Sequence, residues 1–438
     1  MASTYLSRTI TPSTINKKKF TFSAWVKIDN LTADGDILSF NGSTDYTVLR
    51  IKNADRIDFL TYDGGVQARR VSAAKYRDCS GFYHVVLSVN SDDTTADDRI
   101  KIYVNGERLT AFDSSVNPSS GFEFINNNKV NLNIGSNVDQ TPTRWYFGGI
   151  MSHVHFIDGL TYDASAFGET DSATGQWKIK TSPSVTYGTN GFFILKDGNS
   201  VTDQSGNTNN FTVSGGTLTK TEDNPSNVFA TYNPLGNFFP ADTFSNGNTT
   251  QTTNAGNYTY NISTLGASNG KYYCEIKNST NNNNSIGIAD RPSISTTNGL
   301  TGTTYGWAYV MSGQVYNNGS IVATYNTVTT NDIVGIALDL DNNKVYFSKN
   351  GTWQGSSDPS AGTGGISITA PASNRTGFYF FGSGDEATNS AVHNANFGNG
   401  YFGTTAVASA GTNASGIGIF EYDVPTGYTA LSTKGLNL

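Results

Sequence analysis

The chain has 438 residues and a formal net charge of −7 at pH 7, and its length allows two or three domains with sizeable cores. The acidic balance argues against nucleic acid as a partner, because phosphate binding needs clustered Lys and Arg side chains. The sequence contains no run of about 18 apolar residues, so no membrane-spanning helix is predicted.

Composition favours an all-β fold. Aromatic residues make up 12% of the chain and charged residues 14%, and the 47 glycines exceed the average share of about 7%. This mixture suits short strands joined by tight turns, and no convincing run has the apolar period of a helix. The two cysteines, Cys79 and Cys274, fall in different predicted domains, and the N-terminus has no apolar core of signal-peptide length. We therefore expect no disulfide and synthesis in a reducing cytoplasm.

Four strands are predicted in the first third of the chain, where apolar residues alternate with polar ones or form short runs. They cover residues 20–28, 85–89, 100–104 and 150–157. Asn105-Gly106, after the third strand, is the strongest short hairpin signal in the chain. The strings FTFSAWVKI, FYHVVLSV, DRIKIYVNGERL and YFGGIMSHVHFIDG, in this order, resemble the laminin-G-like, concanavalin-type β-sandwich. The resemblance implies a sandwich over residues 1–165 whose last strand pairs near its first.

Two groups of side chains in this domain could hold a metal ion. A strand would place His153 and His155 on one face, where zinc could bind them. We interpret both instead as packed on the outer face or under the segment that follows. Carboxylates that could bind calcium, as several laminin-G-like modules do, are Asp92, Asp93, Asp97 and Asp98 in one loop and Asp34, Asp36 and Asp45 in another. We favour a turn-forming role for them, since Asp bonds readily to its own backbone, and calcium is the one cofactor left open.

Some concanavalin-type sandwiches are glycosidases with a Glu-x-Asp-x-x-Glu strand, which places carboxylates for acid and nucleophile roles. The nearest match is Glu169-Thr170-Asp171, and the position of the second Glu is Thr174. The chain has four histidines and no Gly-x-Ser-x-Gly motif, so a Ser-His-Asp triad is not indicated. The protein is therefore not expected to be an enzyme.

A loop-rich connector is predicted over residues 166–240, because its apolar stretches are short and turn-forming residues separate them. Its strings FGETDSATGQWK, YGTNGFFILKD, DQSGNTNNFT and DNPSNVFATYNPL resemble connectors of marine bacteriophage proteins that have the same lectin-like front end. We expect this segment to pack on the first sandwich.

A second sandwich is predicted over residues 241–402. Within residues 332–351, apolar side chains alternate in two strands around the turn Asp341-Asn342-Asn343, with Leu338 and Phe347 in the core. This hairpin, with GKYYCEIK, IGIAD, YGWAY and GFYFF in the expected order, resembles SPRY domains over residues 257–402. The polar run 244–257 is interpreted as a linker or long loop.

Aromatic residues in YGWAYVMSGQVY are the candidates for ligand binding in this domain. Tyr305, Tyr309 and Tyr316 could pack against a sugar face or anchor a protein interface. Trp307 is instead assigned to the core, because the Trp of the Gly-Trp pair is commonly packed in SPRY domains.

The closing segment, residues 403–438, is expected to form a short ordered tail. Its string FEYDVPTGYTALSTKGLNL also resembles the C-terminal signature of such phage proteins. The resemblances together imply a virion structural protein, assembled in the host cytoplasm, that serves as a fibre, tail or head appendage. Its expected partners are other virion proteins and a host-surface glycan or protein, and we expect a homo-oligomer. The alternatives are a capsid decoration protein that binds only the shell and a polysaccharide-degrading glycosidase.

Overall fold

The computed structural model describes residues 4–29, 31, 33–42, 44–52, 55–126, 128–137, 145–196, 198, 200–237, 241–280, 284–386 and 390–438. These ranges contain short strands and three-residue 3-10 helices, and no α-helix. None of the described helices has the length or hydropathy to cross a membrane. The all-β class predicted from composition is confirmed, and the chain divides into two compact units, Met1–Lys220 and Thr221–Leu438.

The first unit is built from two large antiparallel sheets. Its strands are β1 (Tyr5–Thr9), β2 (Lys19–Ile28), β3 (Gly35–Asn41), β4 (Tyr46–Lys52), β5 (Arg56–Tyr62), β6 (Val66–Ser72), β7 (Tyr83–Asn90), β8 (Ile100–Val104), β9 (Glu107–Arg108), β10 (Phe112–Val116), β11 (Asn131–Ile134), β12 (Gly149–Asp158), β13 (Gly168–Thr170), β14 (Trp177–Ile179), β15 (Phe192–Ile194) and β16 (Thr212–Ser214). One sheet has the order β10-β6-β5-β4-β3-β11-β1-β16 and the other β15-β12-β2-β7-β8-β9, while β13 and β14 form a separate ribbon.

The four predicted strands are β2, β7, β8 and β12, which are neighbours in the six-stranded sheet. The last of them, β12, pairs antiparallel with β2, as the resemblance implied. Alternate side chains of β2, such as Phe20 and Phe22, are fully buried in the main core of the unit. The alternation of apolar and polar residues over 20–28 would leave one face of β2 exposed, but Ser23 and Trp25 on that face are also buried. Trp25 stacks on His84, whose ring bonds to Trp177 in the following segment.

The segment after residue 165 contributes strands to both large sheets of this unit. β15 pairs with β12, and β16 pairs with β1. Phe167 and Tyr187 pack on the outer face of the six-stranded sheet in a second small core. Residues beyond Lys220 belong to the second unit.

The second unit also contains two large sheets. Its strands are β17 (Thr243–Ser245), β18 (Thr250–Thr252), β19 (Thr259–Ile262), β20 (Lys271–Asn278), β21 (Asn284–Ala289), β22 (Gly306–Val310), β23 (Gln314–Asn317), β24 (Ser320–Thr324), β25 (Ile333–Asp339), β26 (Lys344–Lys349), β27 (Thr352–Trp353), β28 (Ile366–Ser367), β29 (Phe380–Asp385), β30 (Val392–Asn396), β31 (Tyr401–Phe402), β32 (Thr405–Ala406) and β33 (Thr429–Ala430). One sheet follows β17-β18-β30-β20-β25-β26-β27, with β28 on β26 and β33 on β20, and the other follows β19-β29-β21-β22-β23-β24.

The hairpin predicted over residues 332–351 is confirmed as β25 and β26. Leu338 pairs with Val345 and Ile336 with Phe347, and all four side chains are buried in one core. Asn343 in the turn and Asn350 after β26 have positive φ angles of 53° and 48°, a conformation that Asn tolerates.

The polar run 244–257 is not a linker, because part of it forms the hairpin β17–β18 and β18 pairs with β30. Buried polar side chains of this run have hydrogen-bond partners, as Gln251 shows. Its Nε2 donates to Asp242 Oδ2 over 2.7 Å, and its Oε1 accepts from the Ser383 hydroxyl over 2.7 Å. Composition alone did not distinguish a solvated run from one whose polar groups find partners.

The C-terminal segment is more than a tail. β33 adds to β20 in parallel, and Phe420, Tyr428 and Leu431 are buried. Glu275 on β20 fixes the segment, since its carboxylate accepts hydrogen bonds from the backbone N–H groups of Glu421 and Tyr422, each over 2.8 Å. The segment therefore completes one large sheet of the second unit.

Candidate functional site

A cleft of about 370 Å³ opens beside the six-stranded sheet of the second unit. Its volume lies within the range of roughly 300–1,000 Å³ that is typical of ligand pockets. The lining comes from the loop before β19, the 3-10 helix Leu300–Gly302, the β22–β23 hairpin and the residue that follows β29. We call it the Tyr258 cleft, and its polar lining side chains are Tyr258, Thr297, Asn298, Thr301, Ser312, Tyr316 and Glu386.

Two tyrosines from separate segments line the Tyr258 cleft. The Tyr258 side chain is 40% exposed, and its backbone is fixed by an N–H that donates to Thr296 O over 3.0 Å. Tyr316 on β23 is half-buried, and its hydroxyl donates to Gln314 Oε1 over 2.9 Å. The cleft therefore offers aromatic surface together with amide and hydroxyl groups.

Glu386 brings a carboxylate to this lining. The Thr301 backbone N–H donates to Oε1 over 3.0 Å, and the Thr301 hydroxyl donates to Oε2 over 2.5 Å. Burial raises the pKa of Glu386, while the hydrogen bonds from Thr301 oppose that rise. A Cβ added at Gly299 would lie 2.2 Å from Oε2, so only glycine lets the backbone approach the carboxylate so closely.

The structure separates the three tyrosines proposed from the sequence. Tyr316 lines the Tyr258 cleft, whereas Tyr305 is half-buried with the Arg375 guanidinium 4.9 Å from its ring centre. The expectation that Tyr309 is an exposed aromatic is wrong: its ring is 1% exposed and packs at 5.6 Å from Phe347. β22 is buried on both faces, which the alternation of its residues did not reveal. Trp307 is a core residue, as predicted.

The histidine pair of the first unit is buried beneath the part of the following segment that belongs to the same unit, residues 166–220. His155 Nδ1 lies 3.0 Å from the Tyr187 hydroxyl, and its ring stacks at 4.0 Å on Phe193. His153 Nδ1 lies 2.8 Å from the Ser152 hydroxyl. A register irregularity between Ser152 and His155 interrupts the simple alternation that the prediction of a shared face assumed. Burial, and then repulsion from the neighbouring histidines, lowers the pKa of His155 well below its usual value.

The loop carboxylates before β8 make hydrogen bonds and ion pairs with other groups of the protein. Asp93 Oδ1 accepts from the Thr95 N–H over 3.0 Å, and Asp97 Oδ1 accepts from the Asn117 amide over 2.8 Å. Asp92 and Asp98 form ion pairs with Lys18 at 3.7 Å and Arg108 at 2.5 Å. Within the described ranges no three His, Cys, Asp or Glu residues are grouped as metal ligands.

The second group of loop carboxylates, Asp34, Asp36 and Asp45, includes one side chain without a hydrogen-bond partner. Asp36 is fully buried and neither of its carboxylate oxygens has a hydrogen-bond partner, and burial raises the pKa of this group well above its usual value. Asp34 lies 3.7 Å from Arg50, while Asp45 Oδ2 accepts from the Asn128 amide over 3.4 Å.

The carboxylates of the glycosidase-like string occupy a surface ribbon. Glu169 lies 3.4 Å and Asp171 3.2 Å from Lys178 on the paired strand. Asp171 Oδ1 accepts from the backbone N–H groups of Ala173 and Thr174, so this side chain builds the turn of the ribbon. These contacts are those of a β-turn and a surface ion pair.

Sequence reasoning missed Tyr258, Asn298 and Glu386. The three residues are far apart in the chain, and no motif connects them. Tyr258 directly follows the polar run 244–257 that was interpreted as a linker or long loop, and its ring was not considered. The one available signal was an aromatic residue inside an otherwise polar segment.

Two family descriptions match parts of this chain. Residues 3–165 match the concanavalin A-like lectin/glucanases superfamily in its Laminin_G_3 form, and residues 271–358 match the SPRY domain. The chain contains both domains. Below, the first unit is called the laminin-G-like unit and the second the SPRY unit.

Comparison with solved structures finds several similar chains, each with a low TM-score over the whole chain. The SPRY domain of human HERC1 shares 18% identity, with 37% of this chain and 96% of that chain covered and a TM-score of 0.31. A human SPRY domain shares 14% identity, covering 34% and 90% of the two chains with a TM-score of 0.26. A putative carbohydrate binding protein from Bacteroides ovatus shares 17% identity, covering 42% and 59% with a TM-score of 0.28. The search of curated proteins finds no match.

Proposed function

We propose that the protein is a non-catalytic structural component of a bacteriophage virion that attaches to a host-surface glycan through the Tyr258 cleft. The observation that carries the attachment role is the lining of the cleft, where two tyrosines and several neutral hydrogen-bonding groups meet in one cavity. Aromatic rings pack against sugar faces, while amides and hydroxyls fix the orientation of the ligand. Sandwich scaffolds suit this role because rigid sheets hold the binding loops in place.

The virion setting is supported by sequence resemblance. The connector strings of residues 166–240 and the closing string FEYDVPTGYTALSTKGLNL resemble those of phage proteins. A virion protein is made in the host cytoplasm and released by lysis, so it needs neither a secretory signal nor a disulfide. Cys79 and Cys274, both buried free thiols, are compatible with that route.

Repeated copies on a particle would give strong attachment from weak single contacts. A single cleft of this size contacts a few sugar units, and its intrinsic affinity is expected to be modest. A homo-oligomer, or many copies on one virion, would raise the effective concentration of clefts at the host surface. The fibre, tail and head locations all meet this requirement.

Binding is favoured over glycan cleavage by the surroundings of the carboxylates. Glycosidic hydrolysis uses two carboxyl groups roughly 5–10 Å apart on either side of the scissile bond. Among the described lining residues of the Tyr258 cleft, Glu386 is the one carboxylate. Glu169 and Asp171 are engaged with Lys178 on the laminin-G-like unit.

The attachment role can be tested with an array of bacterial envelope saccharides and with intact host cells. We expect the purified protein to bind at least one saccharide, and Tyr258→Ala to weaken binding by up to about tenfold, since aromatic contacts contribute about 0.5–1.5 kcal/mol beyond the area that they bury. Phe378→Ala is the matched control, because Phe378 is a 45% exposed aromatic of the same unit outside the cleft. Equal losses in both variants, or no saccharide bound, would contradict the proposal.

Two further measurements separate the alternatives. Binding to protein-depleted particles without binding to host cells would support a capsid decoration protein. Release of reducing sugars that is abolished by Glu169→Gln would support a glycosidase. Gold-labelled antibody on intact particles would locate the protein at the head or the tail, and absence of label would reject the virion setting.

A further inference from the structure

The charged lining of the Tyr258 cleft is acidic, with no basic side chain among the described lining residues. Glu386 is the single charged side chain among its described lining residues. In the described part of the SPRY unit no Lys or Arg nitrogen lies within 4.0 Å of its carboxylate, although Arg375, Lys349 and Lys271 each pair with an aspartate elsewhere. A carboxylate set into a cavity without a cation carries a desolvation cost that a cationic ligand would offset.

Glu386 is held in place by the fold. Thr301 bonds to both carboxylate oxygens, and the backbone at Gly299 leaves no room for a side chain beside them. The Ser285 side chain and the Leu300 backbone N–H also favour the ionised form of Glu386, and the carboxylate still lines the cavity, where a ligand can reach it. The carboxylate is thus positioned before a ligand arrives, which reduces the entropic cost of binding.

The remaining lining suits a cation attached to a polar ring. Tyrosine faces attract ammonium groups through the ring quadrupole, and Tyr258 and Tyr316 both line the cavity. Asn298 and Ser312 offer neutral donors and acceptors that match sugar hydroxyls. The SPRY unit as a whole has more acidic than basic side chains, which favours the approach of a cation over that of an anion.

We propose that the glycan bound in the Tyr258 cleft carries a free protonated amine, as in an amino sugar that is not N-acetylated, and that Glu386 accepts the hydrogen bond of that ammonium group. This inference rests on the proposed function, because it names the class of saccharide that the cleft takes. A charge-assisted hydrogen bond discriminates between an ammonium group and the neutral amide that replaces it on acetylation.

The test compares two probes of equal length: oligosaccharides of β-1,4-linked glucosamine and the same oligosaccharides fully N-acetylated. At about pH 6.5, where an amine of ordinary pKa is protonated, calorimetric titration of the full chain should show binding of the amine form at least about tenfold tighter. Raising the salt concentration should weaken binding of the amine form more than that of the acetylated form.

Variants assign this preference to Glu386. Glu386→Gln should lower the affinity for the amine form about ten- to a hundredfold and leave the acetylated form within about threefold. The Thr301 hydroxyl can either donate or accept, so the amide should be tolerated, and circular dichroism checks the fold. Glu421→Gln is the control, since it makes the same change of charge in the SPRY unit outside the cleft.

The outcomes distinguish this inference from the proposed function. Equal binding of both probes, or an amine preference that survives Glu386→Gln, overturns the assignment to the ammonium group while glycan attachment stands. Binding of a neutral envelope saccharide that depends on Tyr258, without binding of either probe, does the same. Failure of every saccharide to bind removes the proposed function and the inference together.

Discussion

The protonation state of a buried ionisable side chain in this protein depends on its neighbours as well as on its own pKa. His84 shows this: its ring stacks at 4.7 Å on Trp25, and Trp177 Nε1 donates to its Nδ1 over 3.0 Å. Because an indole N–H can only donate, the imidazole proton resides on Nε2, which donates to the Ser23 hydroxyl over 2.8 Å. Burial lowers the pKa of His84 to about 3, so the ring is neutral at physiological pH.

Phe347→Ala tests the packing of the SPRY core. The Phe347 side chain is 1% exposed and contacts Tyr309 in the main core of that unit. Removal of a buried phenyl ring typically costs about 3–5 kcal/mol, through lost transfer free energy and the cavity that remains. We expect chemical denaturation to show a loss of this size for the SPRY unit, with Phe378→Ala nearly unchanged. Near-native stability of Phe347→Ala would contradict the observed orientation of β26.

Glu275 gives the SPRY unit a pH dependence of its own. Burial raises the pKa of Glu275 to about 7, although hydrogen bonds from Glu421, Tyr422, Tyr273 and Asn396 oppose the rise. A raised folded-state pKa favours the protonated carboxyl, so its contribution is fully present below about pH 4.5 and is lost as the pH rises through 7. The free energy of unfolding should therefore increase by about 1.4 kcal/mol per pH unit from this group on going from pH 7 towards 4.5.

The check is the pH slope of Glu275→Gln. The variant should lose this pH slope. It should also be less stable, because the NH₂ group of glutamine cannot accept the hydrogen bond that a backbone N–H now donates to the carboxylate oxygen in its place. Glu421→Gln should retain the wild-type slope. An unchanged slope in Glu275→Gln would assign the pH dependence to another group.

At the scale of elements, the C-terminal segment is part of a sheet. Truncation after residue 402 would remove β33, which pairs with the start of β20, and would delete the buried side chains of Phe420, Tyr428 and Leu431. It would also leave the Glu275 carboxylate without the two backbone donors that it now uses. We expect the truncated chain to lose cooperative unfolding of the SPRY unit. Removal of Leu436–Leu438 alone, where Leu438 is 81% exposed, should have little effect.

Strands whose polar positions face solvent or a turn could be predicted, and strands with buried ion pairs could not. β25 and β26 combine alternating apolar residues with Asn at positive φ, and both features are visible in the sequence. β4 and β5 carry Arg50 and Asp58 at positions that look exposed, yet these side chains pair at 2.8 Å inside the unit. Long-range pairing satisfies them, and periodicity contains no information about it.

The Tyr258 cleft escaped prediction for the same reason. Tyr316 was recognised because it lies in an aromatic-rich string, whereas Glu386 acquires its role from Thr301 and Gly299, which are distant in sequence. The two domains were recognised because their motifs follow a fixed order along the chain. A binding site assembled from loops lacks such an order.

At the scale of the whole molecule, the two units should respond differently to acid. In the laminin-G-like unit His84 and His155 have lowered pKa values, and Asp36 is a buried carboxyl with a raised pKa. In the SPRY unit the pKa of His393 is lowered to about 3, while three carboxyls have raised pKa values. These carboxyls are Glu275, Asp242 and Glu386.

A neutral buried histidine contributes stability that is present above its unfolded pKa of about 6.5 and is lost as the pH falls, by about 1.4 kcal/mol per unit for each ring. Glu275 of the SPRY unit, whose pKa burial raises to about 7, acts in the opposite direction over this interval. Between about pH 6.5 and 5, we expect the laminin-G-like unit to lose stability relative to the SPRY unit. Thermal unfolding of fragments 1–220 and 221–438 alongside the full chain measures this, with the SPRY midpoint less sensitive to acid. Parallel shifts of both midpoints would show that the histidines of the first unit are protonated in its folded state.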